Sequence, residues 1–285
     1  MHDIEYTRPQ NISEALDFLK INGPETKILA GGTDIMVDLR SGTLEARYLL
    51  DVSRLDDLQR IELSDGKLSI GAAVTITELL ESDTIAASAP ALKKAADKFA
   101  SRQIRNVATI GGNVAHCSPC GDTIPPLLIH EAEAVVVNSQ GQRHVTIEEM
   151  ASGPYHCSLH PDEIITRFVL KPRPEQVTFA DFQKIGRRQA LAISRMSMAA
   201  MAYKDGKRAI SFMRFALGSC TPTPHRFREI EAFLTGRVPS EKLLWEAGKI
   251  LAERMLDITG RRPSSVYKEP AIQGLFMRMM SPLIQ

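Results

Sequence analysis

Two stretches of adjacent glycines place the tightest limits on how this chain folds. Residues 30–39 read AGGTDIMVDL and residues 109–113 read TIGGN. Each pair follows an apolar run and is closed by a small polar residue. Glycine reaches positive φ without steric cost and lets a second backbone or a ligand come close. One such turn is ordinary punctuation; two with matching polar neighbours predict a ligand approached by backbone from two sides. The first pair lies between Lys27–Ala30, read as a short buried strand, and Ile35, Met36 and Leu39 at helical spacing, with Thr33 or Asp34 as the cap. A strand-to-helix turn of this kind offers free amides and a positive dipole end to an anion.

The same glycines exclude the common phosphate motifs. A Walker loop needs Lys followed by Ser or Thr, and the dinucleotide fingerprint needs G-x-G-x-x-G; neither turn has them. A net charge of +1 implies no bulk attraction to nucleic acid or an anionic membrane. No run of about 18 apolar residues is present, and MHDIEYTRPQ lacks the order of a signal peptide. The expectation is a cytoplasmic protein with no nucleic-acid partner and no membrane insertion.

A length of 285 residues exceeds the usual size of one core and predicts two or three packed domains. Asn11 and Glu14 read as a capping box opening a helix, and Thr75 and Glu78 as a second helix start. Strands are predicted over 47–52, 68–74 and 164–170, a helix over 89–100, and a hairpin over 132–147 around Ser139-Gln140-Gly141. The last of these strands stops at Lys171-Pro172-Arg173-Pro174, which reads as a domain boundary. Beyond it, strands around FADFQKI and AISFMRFALG enclose AISRMSMAAMAY, whose Met and Ala alternation reads as core filling on a strand or helix. Three helices follow, around 227–234, 240–255 and 271–283.

No catalytic constellation stands out. Cys117 and Cys120 have the spacing of a zinc knuckle or a thioredoxin-like site, but no second pair exists, and Cys157 and Cys220 are single. Reduced thiols and no metal are therefore expected. The seven histidines include no H-x-x-x-H pair on a helix, and no Ser-His-Asp arrangement follows from spacing.

The ordered blocks KILAGGTDIM, FASRQIRNVATIGGN, SPCGDTIPPLLI, DEIITRFVLKP, FQKIGRR and GSCTPTPHR span essentially the whole chain. Together they resemble the FAD-binding medium subunit of the molybdenum hydroxylases, which include bacterial xanthine dehydrogenases, carbon monoxide dehydrogenase and nicotinate dehydrogenase. The resemblance implies an α+β fold. A two-subdomain FAD-binding domain of the vanillyl-alcohol-oxidase or p-cresol-methylhydroxylase type would cover residues 1–173, with subdomains of about 1–54 and 55–173. A smaller C-terminal domain over 174–285 would hold a three-stranded antiparallel sheet and a helical bundle.

By the same resemblance, the two glycine turns clasp one FAD pyrophosphate. The first block implies contacts from Lys27, Ile28, Leu29, Ala30, Gly31, Gly32, Thr33, Asp34 and Ile35. The second implies Phe99, Ala100, Thr109, Gly112, Asn113, Ala115 and Asp122, with Asp122 on ribose or ribityl hydroxyls and Phe99 shielding a ring face. Ile165 and Lys184 match later flavin-contacting positions. The implied partners are a molybdopterin-binding large subunit, a [2Fe–2S] small subunit, and NAD(P)+ or another electron acceptor. Two rival readings are a self-sufficient flavin oxidoreductase of the same fold and a non-redox nucleotide-binding assembly protein.

Overall fold

The computed structural model describes residues 4–188 and 191–284. Near the N-terminus, β1 (Glu5–Thr7), β2 (Thr26–Leu29) and β3 (Tyr48–Asp51) form a parallel sheet in the order β1-β3-β2. Helix α1 (Ile12–Asn22) joins β1 to β2, and α2 (Ile35–Ser41) joins β2 to β3. Asn11 caps α1 by accepting from Glu14 N at 2.9 Å. The Glu14 carboxylate accepts from Gln10 N at 2.7 Å and not from the cap's own amide, so the predicted box is displaced by one residue. Ala15, Leu16 and Leu19 press α1 against Leu50, Val52, Leu55 and Leu58.

The middle of the chain folds around a five-stranded antiparallel sheet. Its strands are β4 (Ile61–Ser64), β5 (Lys67–Gly71), β6 (Glu133–Asn138) and β7 (Gly141–Thr146), followed, after a small β8 (Ala151–Gly153) and β9 (His156–Cys157) ladder, by β10 (Ile164–Leu170). Their order is β4-β5-β10-β6-β7. Helices α3 (Ile76–Glu81), α4 (Asp83–Ser88), α5 (Pro90–Asp97), α6 (Arg102–Arg105), α7 (Ile110–Ala115), α8 (Ile124–Ile129) and α9 (Ile147–Met150) pack around it. Alternate residues such as Leu68, Ile70, Ala134, Val136, Phe168 and Leu170 turn to this core and meet Leu79, Leu92 and Leu127 from the helices. The box that opens α3, with Thr75 and Glu78, is complete.

The C-terminal part contains β11 (Phe179–Ile185), β12 (Met196–Lys204), β13 (Ile210–Gly218) and β14 (His225–Arg226), antiparallel in that order. The three-stranded sheet expected here carries a fourth, two-residue edge strand. Pro222 and Pro224 precede it and lack amide donors, so pairing begins only where Leu217 meets His225 and Ala216 meets Arg226. Helices α10 (Arg228–Leu234), α11 (Glu241–Thr259) and α12 (Ser265–Met280) cover one face of the sheet. Met198, Ala200 and Ala202 of β12 face that bundle, whereas Ala199 and Met201 join the core of the five-stranded region together with Phe182 and Ala216. The Met and Ala stretch is thus a strand buried on both faces. Phe168, Phe182, Phe215 and Phe276 are fully buried, each contributing roughly 2–3 kcal/mol of apolar transfer. Among the described residues, no helix is long and apolar enough to cross a membrane.

Candidate functional site

The loop from β2 to α2 is built around two glycines with separate reasons to be there. Added to Gly31, a Cβ would lie 2.0 Å from Val107 O and 2.8 Å from Ala108 Cα, so only glycine lets this loop touch the segment entering α7. Gly32 has φ +69, in the left-handed region, and its Cβ would meet only the Leu29 and Met36 side chains, at 3.2 and 3.4 Å. Among the described residues, none of the amides from Gly31 to Ile35 donates a hydrogen bond. The Gly32 carbonyl accepts from Met36 N at 3.0 Å. Asp34 stands at the cap position of α2 but makes no side-chain cap bond, and Thr33 Oγ1 lies 3.4 Å from Asp34 Oδ2. A curved run of unpartnered amides is a concavity suited to an anion. Upstream, Ile28 on β2 and Ala30 just after the strand turn toward the N-terminal core, while Lys27 is exposed and Leu29 half-buried.

The second pair departs from the expected turn. Gly111 and Gly112 lie inside α7, and neither has a positive φ. The reason is a bridge between Thr75 and Thr109, which draws α7 onto the β5–α3 connection. Ile110 N donates to Val74 O at 3.0 Å, Gly111 N to Ala72 O at 2.9 Å and Asn113 N to Thr109 O at 3.0 Å. Gly112 N donates to Thr109 Oγ1 at 3.1 Å. These amides are engaged within the protein, so the amide cradle belongs to the first pair alone. Gly111 allows α7 to pack, since its Cβ would lie 2.6 Å from Ala72 O. Gly112 is exposed and its Cβ would meet only Thr109 Oγ1, at 3.0 Å.

Further contacts gather around these loops. His116 Nδ1, at the end of α7, lies 3.8 Å from Asp34 Oδ1 of the first loop. Asn113 Oδ1 accepts from Thr123 Oγ1 at 2.7 Å, and Ala115 packs on the core. Phe99 is half-buried and Ala100 takes φ +35. Arg105, which the sequence did not single out, holds that turn by donating from Nη1 to Phe99 O at 3.0 Å. Its Nε is buried without a partner among the described residues. Ile165 is 6% exposed beside a bulge in β10, and Ala72 N donates to the neighbouring Thr166 O at 3.0 Å.

Asp122 and Lys184 meet each other. Lys184 Nζ of β11 donates to Asp122 Oδ2 at 2.7 Å, and Ser194 Oγ donates to Oδ1 at 2.6 Å. Burial pushes the Asp122 carboxyl above its ordinary value, against the pull of Lys184 and Ser194. Ser194 gave no sequence signal, because only the hairpin geometry brings it to Asp122. In the connection after β11, Arg188 donates to Leu191 O from Nε at 3.1 Å and from Nη2 at 2.5 Å, while Gln189 and Ala190 lie outside the described residues. The four cysteines are free thiols, and no group of three or more His, Cys, Asp and Glu able to hold a metal occurs among the described residues.

An amide cradle at a left-handed glycine, with Thr33 in it and the exposed Gly112 on the neighbouring helix, fits a phosphate-bearing group. Residues 2–173 match the family described as FAD binding domain in molybdopterin dehydrogenase, and residues 181–283 match the CO dehydrogenase flavoprotein C-terminal domain. The xanthine dehydrogenase FAD-binding subunit of Escherichia coli O157:H7 is 36% identical over 227 residues, covering 79% of this chain and 77% of that protein. The nicotinate dehydrogenase FAD-subunit of Eubacterium barkeri is 28% identical over 289 residues, covering 100% and 97%. Among solved structures, carbon monoxide dehydrogenase from Hydrogenophaga pseudoflava is similar at a TM-score of 0.90 and 25% identity, covering 98% of this chain and 96% of that one.

Proposed function

We propose an electron-transfer role from one premise: this chain belongs to the family of FAD-binding domains of molybdopterin dehydrogenases. Its cofactor is FAD, and its relatives are FAD-binding subunits of oxidoreductases. Bound FAD supplies a centre that accepts electrons singly and passes them on in pairs, while the protein sets its position and potential. The observation that carries the residue assignment is the run of unpartnered amides from Gly31 to Ile35. In this reading they take the phosphate oxygens, with Thr33 and Thr109 adding hydroxyls and Gly112 leaving room for the ligand. Asp34 and Asn113 flank the cradle as polar neighbours. Leu29, Ala30, Phe99, Ala100, Ala115 and Ile165 are apolar neighbours, and Lys27 and Ile28 extend the contact along β2. Asp122 and Lys184 face the sugar or ring as a pair.

Names such as medium chain and FAD-subunit among the relatives support work within a larger assembly. We assign as partners a molybdopterin-binding large subunit, where substrate is oxidised, and a [2Fe–2S] small subunit that feeds electrons to this chain. NAD(P)+ or another acceptor would take them away, in the cytoplasm. The flavin-binding domain is placed at 1–173 and the C-terminal domain at 174–285. The test is purification of the native complex, identification of its chains and cofactors, and an assay of NAD(P)+ reduction. A flavin-loaded chain isolated alone from its native source, with no iron–sulfur or molybdopterin partner, would refute the assembly.

A further inference from the structure

The flavin reading leaves a pair of thiols unused. Cys117 follows α7 with φ +50, and its side chain is buried. Cys157 ends β9 and is half-buried. Their sulfurs converge on Met150: Cys117 Sγ donates to Met150 O at 3.6 Å, and Cys157 Sγ lies 3.5 Å from Met150 Sδ. Backbone contacts hold the pair together, since Tyr155 N donates to Cys117 O and Ser158 N to Met150 O, both at 2.9 Å. The spatial partner of Cys117 is thus Cys157, and the C-x-x-C spacing misdirects attention to Cys120.

We propose that Cys117 and Cys157 form a peroxide-reactive dithiol, in which Cys157 takes an oxygen atom from a hydroperoxide and Cys117 resolves the product to a disulfide. Cys157 is the member that ionises first. The neighbouring Cys117 thiol holds the Cys157 thiol below its ordinary value, against burial. The neighbouring Cys157 and burial push the Cys117 thiol up. Glu163 opposes a thiolate nearby, but Arg143 Nε donates to its carboxylate at 2.6 Å and offsets the charge. A half-exposed thiolate beside a second thiol is the arrangement that reacts with peroxides and then closes.

In the first step the Cys157 thiolate attacks one peroxide oxygen; the S–O bond forms, the O–O bond breaks, and hydroxide leaves and takes a proton as water. Cys157 is oxidised by two electrons to the sulfenic acid. Cys117 then loses its proton and attacks that sulfur, forming the S–S bond and releasing the sulfenic oxygen as a second water. On the proposed flavin reading, dioxygen that takes electrons from the bound FAD would leave as superoxide or peroxide, which would supply the oxidant.

The experiment uses the reduced full-length chain and hydrogen peroxide. The expected result is loss of two of its four thiols, a mass lower by two hydrogen atoms, and a digest in which the Cys117 and Cys157 peptides are joined. In Cys117→Ser, dimedone should label Cys157; in Cys157→Ser, thiol loss should slow at least tenfold with the circular dichroism unchanged. Oxidation appearing first on Cys120 or Cys220, or a wild-type digest without the cross-link, would overturn the proposal, and the wild-type digest decides even if a variant misfolds.

Discussion

An alanine at Gly31 would place its Cβ 2.0 Å from a backbone oxygen, whereas one at Gly32 would meet only two flexible side chains. Gly31→Ala is therefore expected to cost about 3 kcal/mol of stability through overpacking. Gly32→Ala should cost only about 1 kcal/mol, from its left-handed φ, and show its main effect as weaker FAD binding. Gly112→Ala has no φ penalty and gains helix propensity of about 1 kcal/mol, so any loss there should be in flavin affinity. Thermal unfolding and FAD titration on the three variants separate these outcomes; full flavin affinity in Gly32→Ala would dismiss the amide cradle. The sequence marked all four glycines but could not sort them, because the colliding atoms at Gly31 and Gly111 come from distant segments. His130 shows the same limit. Fully buried, it is held down to about 4 by burial, and its Nδ1–H donates to Lys171 O at 2.8 Å. The unfolded chain takes up a proton below about 6.5, while the folded chain resists it until about 4, so stability falls as pH drops through that window and levels off beneath it. The loss amounts to roughly 3 kcal/mol, and the pH slope of unfolding should flatten in His130→Gln relative to the wild type.

Among the elements, β12 explains why pattern reading stalled at MSMAAMA. A strand covered on one face alternates apolar and polar residues, but β12 is buried against the bundle on one side and against α5 and α8 on the other, so the period of two disappears. The capped starts of α1 and α3 were legible because a cap is local, and the second glycine pair was misread as a turn because α7 depends on the distant bridge to Thr75. The connection from β11 to β12 carries Gly186, Arg187 and Arg188 next to Lys184. Guanidinium groups there would clamp the pyrophosphate of NAD(P)+ by charge-assisted bonds. Replacing Arg187 and Arg188 together by Ala should raise the KM for the nicotinamide several-fold and leave reduction of a small dye unchanged. Parallel losses with both acceptors would point instead to a damaged flavin site, since Arg188 also braces Leu191 O.

At the scale of the whole molecule, one ion pair joins the C-terminal sheet to the segment between α7 and α8. Lys184 and Asp122 have side chains only 9% and 8% exposed and lie 2.7 Å apart, with Ser194 completing the shell of the carboxylate. The apolar contacts of Phe182, Ala199 and Met201 already hold the two parts together, so a desolvated charge pair at the same seam adds little net stability over an apolar pair. A role toward the ligand would account for two charges at this seam. Lys184→Met should leave Asp122 buried and unpaired, costing roughly 3–5 kcal/mol, and FAD should leave more readily. Combining Lys184→Met with Asp122→Leu removes both charges and should recover most of the stability by the same reasoning. Flavin affinity decides between the two roles. If the pair faces the cofactor, the double variant regains its melting temperature but stays weak in FAD binding. If the pair is only a seam between domains, affinity returns with stability, and the assignment of Asp122 and Lys184 to the flavin site falls.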